Sequence, residues 1–209
     1  MTVVVRAEHL TKRYRRGREI VTAVDGASFE LSSGVLTALV GPSGSGKTTL
    51  LNLIIGGDDP DEGRVIGFPD EPDWSQLAVV PQALGLLPEL TMGENVDLPR
   101  RLGAVGARPA AEVMDLLGIG GLVDRAPNET SLGEQQRAAI ARALVAWPIL
   151  LVADEPTSHQ DDAKTRLVVS SLAEMAAAGT CVLLATHDPR VIDECERTLR
   201  IRDGVVSEE

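Results

Sequence analysis

The stretch Gly41-Pro42-Ser43-Gly44-Ser45-Gly46-Lys47-Thr48-Thr49 has the residue types and spacing of a phosphate cradle. It fits the pattern G-x-x-x-x-G-K-[ST]. In that pattern Gly41, Gly44 and Gly46 let the backbone curl until successive N–H groups point at phosphate oxygens. An apolar run over residues 35–40 precedes it, and an apolar-periodic segment over 50–55 follows. Strand, glycine loop and helix in that order separate a phosphate loop from a glycine-rich turn that binds nothing. The helix beginning near Lys47 adds the positive end of its dipole. Lys47 can reach β- and γ-phosphates, and the Thr48 hydroxyl can ligate Mg²⁺.

Three further strand ends carry chemistry. Leu150-Leu151-Val152-Ala153-Asp154-Glu155 is an apolar strand that delivers two adjacent carboxylates. Beside a phosphate loop, Asp154 belongs near Mg²⁺, directly or through water. Glu155 is then placed to polarise an attacking water, which makes hydrolysis the expected reaction. Without the phosphate loop, a helix cap would explain the pair equally well. His187 follows another apolar run, residues 181–185. In the same sheet as Asp154 it can reach the γ-phosphate and the water at Glu155; alone it would read as a structural histidine. Gln82 ends the run 77–80 and carries both donor and acceptor, which suits it to sense Mg²⁺ or the water. Ser131 and Glu134 make the S-x-x-E capping box of a helix running to Ala146. A serine-led helix start is also an anion site.

The elements that must hold these residues follow from the apolar periodicity. An opening strand at residues 3–5, with Leu10, leads into a basic loop. Two short strands within 20–31 flank the turn signal Asp25-Gly26. A helix over 48–55 stops at Gly56-Gly57, and residues 58–74 read as loop with at most short strands. Between 83 and 128 the chain changes character, with several Gly and Pro and one clear helix at 109–117. Helices at 131–146, 162–178 and 189–196 alternate with strands at 149–153 and 181–185. A hairpin around Asp203-Gly204 closes the chain. The class is α/β with a largely parallel sheet, and functional loops gather at the carboxyl ends of its strands.

The chain has 209 residues, 44% of them hydrophobic and 24% charged, which suits one sizeable domain. Aromatics make up 2%, so aliphatic residues must build the core. The net charge of −11 argues against wrapping a nucleic-acid backbone. Arg6, Lys12, Arg13, Arg15, Arg16 and Arg18 form one basic cluster, expected to be a solvated face and loop. No apolar run approaches the ~18 residues of a membrane span, and no signal peptide precedes Val3. A cytosolic location is expected unless a partner holds the chain at a membrane. Cys181 and Cys195 show no metal spacing and are expected to be free thiols.

With these motifs in this order, the chain resembles the nucleotide-binding subunit of an ABC transporter over essentially its whole length. The resemblance implies a P-loop NTPase core with a mainly parallel sheet and an N-terminal antiparallel β subdomain, residues 1–82 and 147–209. A small helical subdomain, residues 83–146, is inserted and carries the signature helix. Tyr14 matches the aromatic that stacks on adenine. Gln82 matches the loop that couples core to helical lobe. Thr130-Ser131-Leu132-Gly133-Glu134-Gln135-Gln136-Arg137 looks like the family signature. Ser131, Gly133 and Glu134 would therefore cap the γ-phosphate held by a second subunit, sandwiching two ATP molecules in a head-to-tail dimer. The implied cofactors are ATP and Mg²⁺. The implied partners are a second nucleotide-binding subunit, in a homodimer or heterodimer, and separate transmembrane permease subunits, with no nucleic acid. The implied location is cytoplasmic, on the inner face of the cell membrane. Gly56-Gly57-Asp58, residues 84–91 and Glu94-Asn95-Val96 look like the lipoprotein-releasing and macrolide-exporter branch.

Two departures stand out. Leu132 replaces a usual glycine where backbone approaches phosphate, and crowds that position. The loop after Glu155 reads Ser158-His159-Gln160-Asp161 in place of Ser-Ala-Leu-Asp. The leading reading is the ATP-hydrolysing engine of a transporter. Its rivals are a soluble ABC ATPase acting on nucleic acid or ribosomes, and a weakly hydrolysing regulatory ATP-binding subunit. A P-loop kinase would leave Glu155, His187 and the signature without a task.

Overall fold

The basic N-terminal segment is strand rather than loop. In the computed structural model, which describes residues 2–67, 72–104 and 106–208, β1 (Val3–Arg16) pairs antiparallel with β2 (Glu19–Ser32). Alternation explains the correction. Along β1, Val5, Ala7 and Leu10 point into the core, while Arg6, Lys12 and Arg13 reach acidic partners Glu30, Asp58 and Glu62 at 2.6–2.7 Å. These three cations of the cluster are thus paired within the chain. Asp25-Gly26, expected as a turn, is a bulge inside the continuous β2. The register slips between Leu10↔Ala27 and Lys12↔Val24, Gly26 has φ 61°, and its N–H donates to Thr11 Oγ1 at 3.0 Å.

Four aliphatic-rich strands and one alternating strand then build the second sheet. They are β3 (Leu36–Val40), β5 (Leu77–Val80), β6 (Leu150–Asp154), β7 (Cys181–Ala185) and the alternating β8 (Arg197–Arg202), all parallel. β9 (Val205–Glu208) closes the sheet antiparallel to β8, as the hairpin pattern predicts, giving the order β5-β6-β7-β3-β8-β9. The intervening β4 (Glu62–Ile66) joins the first sheet beside β1. Residues 68–71 of the expected 58–74 loop lie outside the described residues.

Strands without polar alternates must be covered on both faces. On one face Leu36, Ala38, Val40, Val182 and Leu184 pack against α4 (Leu132–Ala146) and α5 (Asp162–Ala177). On the other, Leu39, Val152, Leu183 and Ala185 meet α1 (Lys47–Ile54) and the apolar side of β1 and β2. Cys181 and Cys195 are free thiols, and burial pushes each pKa up to about 12, so neither is a ready nucleophile.

The segment between β5 and α4 contains α2 (Met92–Arg101) and α3 (Ala110–Leu116). The pattern at 109–117 anticipates α3. It does not anticipate α2, because Gly93, Asp97 and Pro99 break up its apolar stripe. The start signal is nonetheless there. Thr91 and Glu94 form a complete capping box, with Glu94 N–H donating to Thr91 Oγ1 at 3.1 Å and Thr91 N–H to Glu94 Oε2 at 3.0 Å. α6 (Pro189–Ile192) is shorter than the expected 189–196. No helix among the described residues is long and apolar enough to cross a membrane.

Candidate nucleotide site

Strand register places the chemistry. Asp154 lies level with Ala185 on β7, which lies level with Leu39 on β3, while Val80 on β5 is level with Ala153. Gly41, Gln82 and His187 each follow two residues past a paired strand residue, and Glu155 follows Asp154 directly. Four neighbouring parallel strands therefore deliver their end residues to one rim. There Gly41, Pro42, Ser43, Gly44, Gly46, Lys47, Thr48, Thr49, Gln82, Asp154, Glu155 and His187 line one cleft of about 720 Å³.

Within the phosphate loop the three glycines differ in their reasons. A Cβ on Gly41 would run into the carbonyl of Ile201, and one on Gly46 into that of Ala23. Gly46 also has φ 108° and Gly44 φ 77°, while Gly41 has no positive φ. Gly44 has nothing within 4 Å of where a Cβ would stand, so it borders open cleft. Curling of the backbone thus accounts for Gly44 and Gly46, and close packing for Gly41 and Gly46. Ser45 sits behind the loop. Its buried Oγ has no hydrogen-bond partner and it does not line the cleft. Gly46 caps α1 without a side chain, so the first-turn N–H groups are left for an anion. Lys47 Nζ folds onto the carbonyls of Gly41 at 2.8 Å and Pro42 at 3.1 Å.

Opposite the loop, Thr48 Oγ1 donates to Asp154 Oδ2 at 2.8 Å. Two hard oxygens side by side beside a phosphate cradle suit Mg²⁺, which takes few protein ligands and completes its shell with water and phosphate oxygen. Glu155 adopts a left-handed backbone with φ 50°, its N–H bonded to Ala185 O at 2.9 Å. That turn aims its side chain at His187, whose Nδ1 lies 2.8 Å from Glu155 Oε1. Gln82 is exposed at the cleft edge.

Tyr14, Ser131, Gly133 and Glu134 do not line the cleft. Tyr14 stands on β1 with its hydroxyl donating to Asp58 Oδ2 at 2.7 Å and Lys12 Nζ 5.5 Å from its ring. Burial first, and then Asp58, raises the Tyr14 pKa. Ser131 caps α4: Glu134 N–H donates to its Oγ at 3.3 Å, and that Oγ donates to Glu134 Oε2 at 2.7 Å. The Ser131 hydroxyl, then its N–H, holds the Glu134 carboxyl below its usual pKa. Leu132 is half exposed beside this turn. Gly133 packs on the loop after Glu155, since a Cβ there would stand 2.7 Å from His159 O. The sequence reading did not assign Ala23, Ser158 or His159 to the cleft, yet all three line it. The loop 158–161 carries a local signal, its departure from Ser-Ala-Leu-Asp at His159 and Gln160; nothing local marks Ala23.

The sequence profile described as ABC transporter matches residues 24–158. The lipoprotein-releasing system ATP-binding protein LolD of Gluconobacter oxydans is 41% identical, over 96% of this chain and 94% of its own length. The macrolide export ATP-binding/permease protein MacB 1 of Yersinia pestis is 35% identical over 98% of this chain, which spans 34% of that longer protein. Among solved structures, the dimeric post-hydrolysis state of an ATP-binding cassette bound to ADP and Pi superposes with a TM-score of 0.89. It is 33% identical, over 98% of this chain and 97% of that one. The P-loop fold, the order of the motifs and these likenesses agree: the chain belongs to the ATP-binding, ATP-hydrolysing proteins of the ABC transporter family.

Proposed function

We propose that this ATPase works as a dimer on the inner face of a membrane, powering separate permease subunits. The observation that carries the reading is the single cleft holding the phosphate loop, the Thr48–Asp154 pair and the Glu155–His187 pair. Lys47 and the loop N–H groups bind the β- and γ-phosphates. Thr48 and Asp154, with Gln82 nearby, hold Mg²⁺, which neutralises phosphate charge when bound. Glu155 polarises the attacking water. His187 keeps the Glu155 carboxylate in place and reaches toward the γ-phosphate. The exposed face of Tyr14 stacks on adenine.

Ser131, Gly133 and Glu134 lie outside their own chain's cleft, and this favours their serving the nucleotide of a second copy. To do so, Ser131 exchanges its bond to Glu134 for one to phosphate. Residues 83–146 form the lobe that carries the signature turn and passes closure of the dimer to the permease. Likeness to the lipoprotein-releasing and macrolide-export proteins supports a permease partner of that branch.

Glu155→Gln tests the reading. The amide keeps its shape and cannot take a proton. ATP binding should persist, a nucleotide-trapped dimer should accumulate on gel filtration, and steady turnover should fall by a factor on the order of 10²–10³. Full turnover in this variant would remove Glu155 from its role.

A further inference from the structure

The loop after Glu155 and the start of α4 are joined by two glutamine side chains in series. Gln160 Nε2 donates to Gly133 O at 2.8 Å and to Gln136 Oε1 at 3.2 Å, while its Oε1 accepts from Arg137 Nη1 at 2.6 Å. Gln136, 3% exposed, donates from Nε2 to Glu155 O at 2.8 Å and accepts at Oε1 from His159 N–H at 3.3 Å. A continuous chain of hydrogen bonds thus runs from the Gly133 carbonyl to the Glu155 carbonyl. Glu155 needs such support, because its left-handed backbone is unfavourable for a residue with a Cβ. The contact of Gly133 with the His159 carbonyl leaves no slack between turn and loop.

We infer that Gln160 is a positioning residue that locks the Ser131–Gly133 turn to the loop bearing Glu155. Seating of that turn against a second copy's nucleotide then sets the Glu155 backbone at this copy's own nucleotide. The inference rests on the dimer reading above. A hydrocarbon at position 160 could fill the same space but offers no donor to Gly133 O and no acceptor to the buried Arg137. The amide is therefore chemistry added to a packing position.

The test uses the full chain with Gln160→Met and Gln160→Glu. ATP affinity is measured by equilibrium binding in the Glu155→Gln background. Turnover is measured at protein concentrations where the dimer forms. For Gln160→Met the inference expects ATP affinity and KM within about twofold of the parent. It expects kcat lower by about 5–30-fold, the worth of one or two hydrogen bonds, and cooperativity in ATP weaker than the parent's. Gln160→Glu keeps the Arg137 bond but cannot donate to Gly133 O, so it should lose kcat and cooperativity as the Met variant does. If Gln160→Met fails to fold, the Glu variant carries the test, because Arg137 stays paired. Parent-like kcat and cooperativity in either folded variant, with the ATP-driven dimer intact, would overturn the inference alone. Failure of Glu155→Gln to dimerise on ATP would overturn the dimer reading and this inference with it.

Discussion

A methyl group added at Gly46 would meet backbone, and one added at Gly44 would meet open cleft. Gly44 and Gly46 look alike in the sequence and face different surroundings. Gly46 combines φ 108° with the Ala23 carbonyl where a Cβ would stand; Gly44 has φ 77° and open space. The blocking groups at Gly41 and Gly46 come from Ile201 and Ala23, far off along the chain, so no local pattern could reveal them. This difference separates stability from binding. Gly46→Ala should destabilise the fold by at least ~3 kcal/mol, because the Ala23 backbone of β2 would have to move and φ 108° strains any side chain. A melting temperature lower by roughly 6–12 °C would express that loss. Gly44→Ala should cost about 1 kcal/mol of strain and instead weaken ATP binding, since its methyl enters the cleft. Equal melting temperatures for the two variants, read by calorimetry, would refute this account. The phosphate loop was legible in the sequence because its spacing is local, but the reasons for its glycines were not.

Among elements, the buried parallel strands and α4 were readable, since an apolar run bounded by turn signals needs no long-range information. β1 and α2 were not. β1 carries its cations on a strand because Glu30, Asp58 and Glu62 wait on other segments. α2 hides its stripe behind Asp97, held by Arg100 and Arg101 at 2.7 and 3.3 Å, and Asn95, which is wholly buried. Asn95 uses its amide in place of secondary structure. Its Oδ1 accepts from Leu87 N–H at 2.7 Å, and its Nδ2 donates to the carbonyls of Leu87, Leu90 and Thr91. Arg142 of α4 does the same from the other side, donating to Gly85 O at 2.7 Å and Leu84 O at 3.1 Å. Burial lowers its pKa, and no carboxylate hydrogen-bonds to it among the described residues. The segment after Gln82 is thus tied to α4 through side chains. Arg142→Met fills the same volume without donors. Amide exchange across residues 83–90 should accelerate about tenfold, while peptides covering the phosphate loop stay protected as before. Unchanged exchange after Gln82 would show that Asn95 alone holds the segment.

For the whole molecule, charge decides how two copies meet. Each chain carries −11, and bound nucleotide adds negative charge at the proposed seam. Arg6, Lys12 and Arg13 are already paired within the chain, so this part of the basic cluster offers little to a partner. Long-range repulsion therefore opposes association of two copies, while hydrogen bonds and packing at the phosphates act only at contact. Salt separates the two. Raising monovalent salt from ~10 mM to ~100 mM shortens the screening length from ~30 Å to ~10 Å. Repulsion between whole chains should fade, while bonds to desolvated phosphate persist. In the Glu155→Gln variant at fixed protein and saturating ATP, the dimer fraction on analytical ultracentrifugation should rise across that range. The reverse trend, a dimer dissolving as salt rises, would mean that exposed ion pairs between copies hold the assembly, and would move the binding energy away from the phosphate-capping turn.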